Sequence, residues 1–149
     1  MSPARPDSVL LDTNVFVSAV KNPARETATF RLIANLLGRE EVRLVGNDVL
    51  AGEYLRYAQL FPSPTAAAIA SAILERMETV RVEERFLAAC APYFGPGHAS
   101  DRVHAATCLQ TGAVLVSNDR DFEAIRKAGL VEVATIKDAL ERWVPSREG

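Results

Sequence analysis

Short, wholly apolar runs alternate with longer amphipathic stretches along the chain. Val9-Leu10-Leu11 leads straight into Asp12-Thr13-Asn14, and Ala113-Val114-Leu115-Val116 leads straight into Ser117-Asn118-Asp119. An unbroken aliphatic run of this length reads as a strand buried on both faces. The pattern places strands at 8–11, 42–45, 79–82, 113–116 and 131–134. It places helices at 14–20, 24–37, 47–60, 64–77, 84–94, 101–110, 122–128 and 136–143. In the second helix Phe30, Ile33, Ala34 and Leu37 form the apolar stripe. Asn22-Pro23, Gly38, Pro62, Gly95-Pro96-Gly97, Gly112 and Gly129 supply the breaks. Asn47, Ser63 followed by Pro64, and Ser100 read as helix starts.

Strands that alternate with helices imply a parallel sheet covered on both faces, so the expected fold is a single-domain, three-layer α/β structure. With 149 residues the chain fits one domain. Residues 1–7 are expected to be extended or disordered, 8–144 to form the domain, and 145–149 to be a polar tail. Repeats, low-complexity tracts and linkers are absent from the sequence.

A buried strand cannot hold a carboxylate in its middle, so Asp12 belongs at the carboxyl end of the first strand. In open α/β sheets that edge is where ligands bind. Asp119 stands at the same place after the fourth apolar run. In a parallel sheet the two ends point the same way and can be neighbours. Asp12 could equally cap the helix that follows it. Glu53 borders the apolar stripe of its helix, three and four residues from Leu50 and Val49; the alternative is a solvated side chain paired with Arg56 or Arg39. Asp101 opens Asp-Arg-Val-His-Ala-Ala-Thr, where a first-turn carboxylate suits the helix dipole. Yet Asp101, Ala105 and Cys108 share one face, which would let Asp101 point inward. Converging carboxylates repel one another unless cations lie among them, and an all-oxygen set suits Mg²⁺ or Mn²⁺. Neither a nucleophile elbow nor a phosphate-binding glycine loop occurs in the sequence.

Composition narrows the partners. The chain is 48% hydrophobic, carries a net charge of −2, and has two cysteines, Cys90 and Cys108, both in helical patterns that suggest packing. Two cysteines at this spacing give neither a disulfide framework nor a zinc motif. No apolar run approaches the roughly 18 to 20 residues of a membrane span, and the polar, proline-containing start does not look like a signal peptide. A cytoplasmic protein is expected. If five of the 19 acidic residues gather in one pit, the rest of the molecule is mildly basic, which suits a phosphodiester substrate. Arg102 and Arg120 stand beside proposed ligands and are the best candidates for substrate phosphates, followed by Arg56, Arg126 and Lys127. His98 and His104 read as hydrogen-bonding surface or core histidines, with His98 in a loop that could touch substrate.

Taken together, these pieces resemble the PIN-domain family, including the VapC-type toxin ribonucleases. The resemblance runs from Val9 to Trp143 and rests on Leu-Leu-Asp12-Thr13-Asn14, Glu53 on a middle helix, Asp101 in Asp-Arg-Val-His-Ala-Ala-Thr, and Ser117-Asn118-Asp119-Arg120-Asp121-Phe122. It implies a PIN-like parallel-sheet fold and metal-dependent endonucleolytic cleavage of RNA. It implies Asp12, Glu53, Asp101 and Asp119 as the catalytic metal-binding carboxylates, with Asp121 assisting through water. Thr13 and Ser117 match small polar positions that orient ligands or waters, though both also read as turn and cap residues. Asp48 rivals Glu53 but looks like a first-turn residue beside Asn47. Toxin members of the family pair with a small antitoxin and form homodimers. Two other readings stay open. One is a non-catalytic RNA- or protein-binding module of the same fold. The other is a phosphotransfer domain of the haloacid dehalogenase kind, which wants a second Asp where Asn14 stands.

Overall fold

The computed structural model describes residues 7–21, 27–61 and 63–144. The expected break at Asn22-Pro23, the first turn of the 24–37 helix, Pro62, residues 1–6 and the 145–149 tail lie outside the described residues. Five strands, β1 (Ser8–Leu11), β2 (Arg43–Gly46), β3 (Glu78–Thr79), β4 (Val114–Val116) and β5 (Val133–Ala134), form one sheet in the order β3-β2-β1-β4-β5. Every pairing is parallel. Among the described residues eight α-helices flank it: α1 (Thr13–Val20), α2 (Ala28–Leu37), α3 (Asp48–Leu60), α4 (Pro64–Arg76), α5 (Glu84–Cys90), α6 (Ala99–Thr111), α7 (Glu123–Lys127) and α8 (Ile136–Trp143). The expected α/β architecture is the one observed.

β1 lies at the centre because it is apolar on both faces: Val9, Leu10 and Leu11 are all buried. The chain leaves β1 toward β2 on one side and later returns as β4 on the other. The gap between β1 and β4 is therefore the topological switch point, where parallel sheets open a crevice beyond their carboxyl ends. α6 packs across β1, β2 and β4 and ends at Gly112, whose φ of +77° gives the left-handed C-cap that a Cβ would strain. The helix runs antiparallel to the strands, so its first turn sits at the same edge as the crevice.

Several expected boundaries move, each for a local reason. The 84–94 helix stops at Cys90 and continues as a 3-10 turn over Ala91–Tyr93, because Pro92 has no N–H to continue the α ladder. Ser100 does not cap α6. The chain turns at Gly97 (φ +89°), the His98 N–H donates to the Gly95 carbonyl at 3.2 Å, and the helix starts from His98. The 122–128 helix is split into a 3-10 turn over Arg120–Phe122 and α7. In α2 the buried face is Thr29, Leu32, Ile33 and Leu36. Phe30, Ala34 and Leu37 line a shallow apolar groove with Ala68, Ile69 and Ala72 of α4, because α2 meets α4 as well as the core. β5 keeps only the last two of its expected residues, and β3 is both short and displaced, sharing only Thr79 with the expected 79–82 strand; edge strands are commonly short.

Arg76, at the end of α4, holds the turn after α2. Its guanidinium donates to the carbonyls of Leu36 (3.1 Å), Leu37 (2.6 Å), Arg39 (3.1 Å) and Val42 (2.6 Å). These include C-terminal carbonyls of α2 that have no partner within the helix, and a cation there also complements the helix dipole. Both cysteines are free and buried, and burial pushes each thiol's pKa upward.

Candidate active site

The register of β1 with β4 sets the first contact. Leu11 pairs with Val116, and the Asp12 N–H donates to the Val116 carbonyl at 3.1 Å, so Asp12 and Ser117 leave the sheet side by side. Asp12 precedes α1, but its side chain makes no capping hydrogen bond to the helix. It accepts instead from Ser117 Oγ at 2.7 Å. Ser117 Oγ in turn accepts from the Asp119 N–H at 3.0 Å, and Asn14 Nδ2 donates to Asp119 Oδ2 at 3.3 Å. Two carboxylates 107 positions apart are thus tied across the switch point through one serine and one asparagine. Asp119 also accepts from the Asp121 N–H at 3.0 Å, which shapes the turn that carries both.

The start of α6 brings Asp101 to the same edge. Ala105 and Cys108, one and two turns on, are buried, and the Asp101 side chain is only 21% exposed. Its Oδ2 lies 3.1 Å from His98 Nδ1, which also stands 3.4 Å from Asp121 Oδ2. His98, Asp101 and Asp121 each offer a ligand atom, and all three lie within 4.8 Å of one another. The hydrogen bond to Asp101 and the field of Asp121 raise the His98 pKa. Asp121, in turn, is held above its ordinary range by desolvation and by Asp119.

Glu53, on α3, is held from α6 by a buried chain of polar groups. His104 Nε2 lies 2.7 Å from Glu53 Oε1, and Glu53 pairs with neither Arg56 nor Arg39. Tyr54, beside it, is buried and donates its hydroxyl hydrogen to the Leu11 carbonyl, which fastens α3 to the end of β1. Desolvation first, then Asp12 and Glu53, push the Tyr54 phenol's pKa upward. Asp48, the rival to Glu53, is an exposed first-turn residue.

Burial raises the Asp12 pKa from 3.8 to about 6; Asp101 and Asp119 add to the rise, while the Ser117 hydrogen bond and the His104 ring oppose it. Among the described residues, none of the five carboxylates pairs with Lys or Arg; His98 touches Asp101 and Asp121, and His104 touches Glu53. Asp12, Asp101 and Glu53 each have one oxygen engaged (Oδ2, Oδ2 and Oε1) and one without a hydrogen-bond partner among the described residues. Thr13 Oγ1, next to Asp12, is buried and unpartnered. Such oxygen donors, held close without basic counter-charges, fit a hard divalent cation.

The basic candidates separate. Arg120 is exposed at the mouth of a pocket of about 170 Å³ lined also by Ser117, Asn118, Asp119 and Arg126. Arg126 is committed to Glu123. Arg102 lies against the 94–99 loop, with its Nε buried and unpartnered. Arg56 lies over the Tyr57 ring.

A family model described as PIN domain matches residues 9–128. The chain belongs to the PIN-domain family. PIN domains are in general nucleases, and typically depend on divalent metal ions. This PIN domain is similar in fold to the structure of VapBC2 from Rickettsia felis bound to a DNA fragment from its promoter. The TM-score is 0.62 with 14% sequence identity, over 86% of this chain and 98% of that one. It is also similar to the structure of FitAB bound to the IR36 DNA fragment, with a TM-score of 0.52 and 20% identity over 95% and 99% of the two chains. Comparison with curated protein sequences yields no match. Among the described residues, no helix of this PIN domain is long and apolar enough to cross a membrane.

Two polar groups exceed what the sequence suggested. His98 joins the acidic cluster because the Gly95–Gly97 turn folds it back over α6; only its position three residues before Asp101 hinted at this. His104 is a core histidine, as expected, but one aimed at Glu53. The signal was its spacing three residues after Asp101, which sets it on the same side of α6 as Asp101, Ala105 and Cys108.

Proposed function

We propose that this PIN domain is a metal-dependent endoribonuclease that cleaves RNA phosphodiester bonds, using Mg²⁺ or Mn²⁺, and that it is the toxin of a toxin–antitoxin pair. What supports the reading is the tie of Asp12 to the Ser117–Asp119 turn, with Asp101 acting on the same carboxyl and Glu53 held by His104, and no Lys or Arg ion pair on these carboxylates among the described residues. A structural role alone would favour neutralisation of such a group, because buried like charges raise the energy of the fold.

Asp12, Glu53, Asp101 and Asp119 are the residues that would hold the metal, with Asp121 in reach through water. When bound, a divalent ion supplies an activated water and neutralises charge on the phosphodiester oxygens. The protein's part is to hold the donors in place. Ser117 fixes one oxygen of Asp12, Asn14 steadies Asp119, and Thr13 offers a spare hydroxyl for a water or a ligand. Arg120, which lines a pocket with Asp119, would meet a substrate phosphate there, and Arg102 would support the 94–99 loop it lies against. The antitoxin partner is supported by the likeness to VapBC2 and FitAB, and a homodimer and a cytoplasmic setting follow from the same family reading.

The test is cleavage of a single-stranded RNA by the full chain with Mg²⁺ or Mn²⁺. Chelation, Asp12→Asn and Asp101→Asn should each abolish it. Cleavage by those variants at the wild-type rate would overturn the proposal.

A further inference from the structure

We infer that His104 is a positioning residue for Glu53, holding that carboxylate in one orientation through a hydrogen-bond chain whose direction is set at the start of α3. The inference rests on the reading of Glu53 as a metal ligand.

The chain can be followed proton by proton. Asn47 caps α3, and its Oδ1 accepts from the Leu50 N–H at 2.8 Å. That contact requires the amide oxygen, so the amide nitrogen must face the other way. Asn47 Nδ2 lies 2.9 Å from Thr107 Oγ1 and 3.2 Å from His104 Nδ1. The hydroxyl hydrogen of Thr107 goes to the Val103 carbonyl at 2.8 Å, so Thr107 can only accept from Asn47. His104 Nδ1 therefore accepts the second amide hydrogen, and the imidazole proton sits on Nε2, where it donates to Glu53 Oε1 at 2.7 Å. Asn47, His104 and Thr107 are all buried, so solvent does not offer these groups substitute partners.

This arrangement does more than satisfy a core histidine. Glu53 comes from a helix, and its side chain has three torsions free to wander. Fixing Oε1 on an imidazole that cannot rotate leaves Oε2 pointing from a defined place. An imidazole N–H on the far oxygen of a ligating carboxylate is the kind of outer-shell contact that orients metal ligands. The helix cap at Asn47 thereby sets the geometry of a proposed ligand on the following turn.

The test is calorimetric titration of the full chain with Mn²⁺, beside ¹⁵N spectra of the histidine rings in the wild-type protein. His104→Leu removes the donor and should weaken Mn²⁺ binding about 10- to 100-fold, whereas His104→Gln, which keeps an N–H donor and an acceptor, should recover most of it. The wild-type spectra should show Nε2 protonated and Nδ1 bare, a readout that needs no variant to fold. Equal Mn²⁺ affinity in wild type and His104→Leu, or a proton on Nδ1, would overturn the inference and leave the nuclease reading intact. A wild-type chain that binds no Mn²⁺ and cleaves no RNA would remove both.

Discussion

Asp12→Asn should separate the fold's interest from the site's. Asp12 is 4% exposed, and its carboxyl pKa is raised from 3.8 to about 6, chiefly by burial. Each tenfold change in proton affinity is worth about 1.4 kcal/mol, so ionising Asp12 costs the metal-free fold about 3 kcal/mol. The direction follows from linkage. The folded state holds this proton more tightly than the unfolded chain, so the side chain's contribution is most favourable below about pH 4 and is lost as pH rises through 6. Asparagine is uncharged and can still accept from Ser117 through its side-chain oxygen. In chelator at pH 8, Asp12→Asn should therefore be more stable than wild type by about 1 to 3 kcal/mol, allowing for imperfect hydrogen bonding of the new amide. Near pH 4 the difference should close. Urea unfolding followed by circular dichroism across pH 4 to 8 would measure it, and a companion series in Mn²⁺ should show the wild type regaining its deficit while the variant does not. A variant less stable than wild type at pH 8 in chelator, or a gap that does not change with pH, would refute the reasoning.

Other consequences are as direct. Arg76→Ala should destabilise the fold by about 2 to 4 kcal/mol in chemical denaturation, because it takes the donor from the Leu37 and Val42 carbonyls and leaves those of Leu36 and Arg39 with one backbone N–H each; Arg76→Lys should recover only part of that, lacking the fork. Asp119→Asn should leave stability within about 1 kcal/mol of wild type, since the side chain is partly exposed and its turn contacts survive, while RNA cleavage falls at least 100-fold. Arg120→Ala should weaken RNA binding and flatten its dependence on salt, as expected for the loss of one phosphate contact.

The order of strands and helices was legible because each element is locally consistent. β1 is apolar on both faces, α3 and α4 carry capping residues where they start, and α8 carries a full capping box at Thr135 and Asp138. Asp12 was legible for the same reason: a carboxylate directly after a doubly buried strand has only the sheet edge to occupy. What the pattern could not supply was the rotation of elements against one another. The α2 stripe was read from periodicity alone, and the buried face turned out to lie about one residue round, because α2 packs chiefly on α1 and α8 and meets α4 only at its edge. The start of α6 was misread because the Gly95–Gly97 turn, rather than a side-chain cap, sets it. The same turn carries His98 into the cluster. Glu53 was singled out through the family resemblance, because its position alone suits a solvated residue as well, and its His104 partner left no local trace because the two lie 51 positions apart.

The most direct measurement is anomalous diffraction from crystals of the full chain soaked in Mn²⁺. A peak is expected among Asp12, Glu53, Asp101 and Asp119, at the roughly 2 Å ligand distances of hard divalent ions, and it should vanish in Asp12→Asn. A peak elsewhere, or none at Mn²⁺ concentrations that support cleavage, would contradict it.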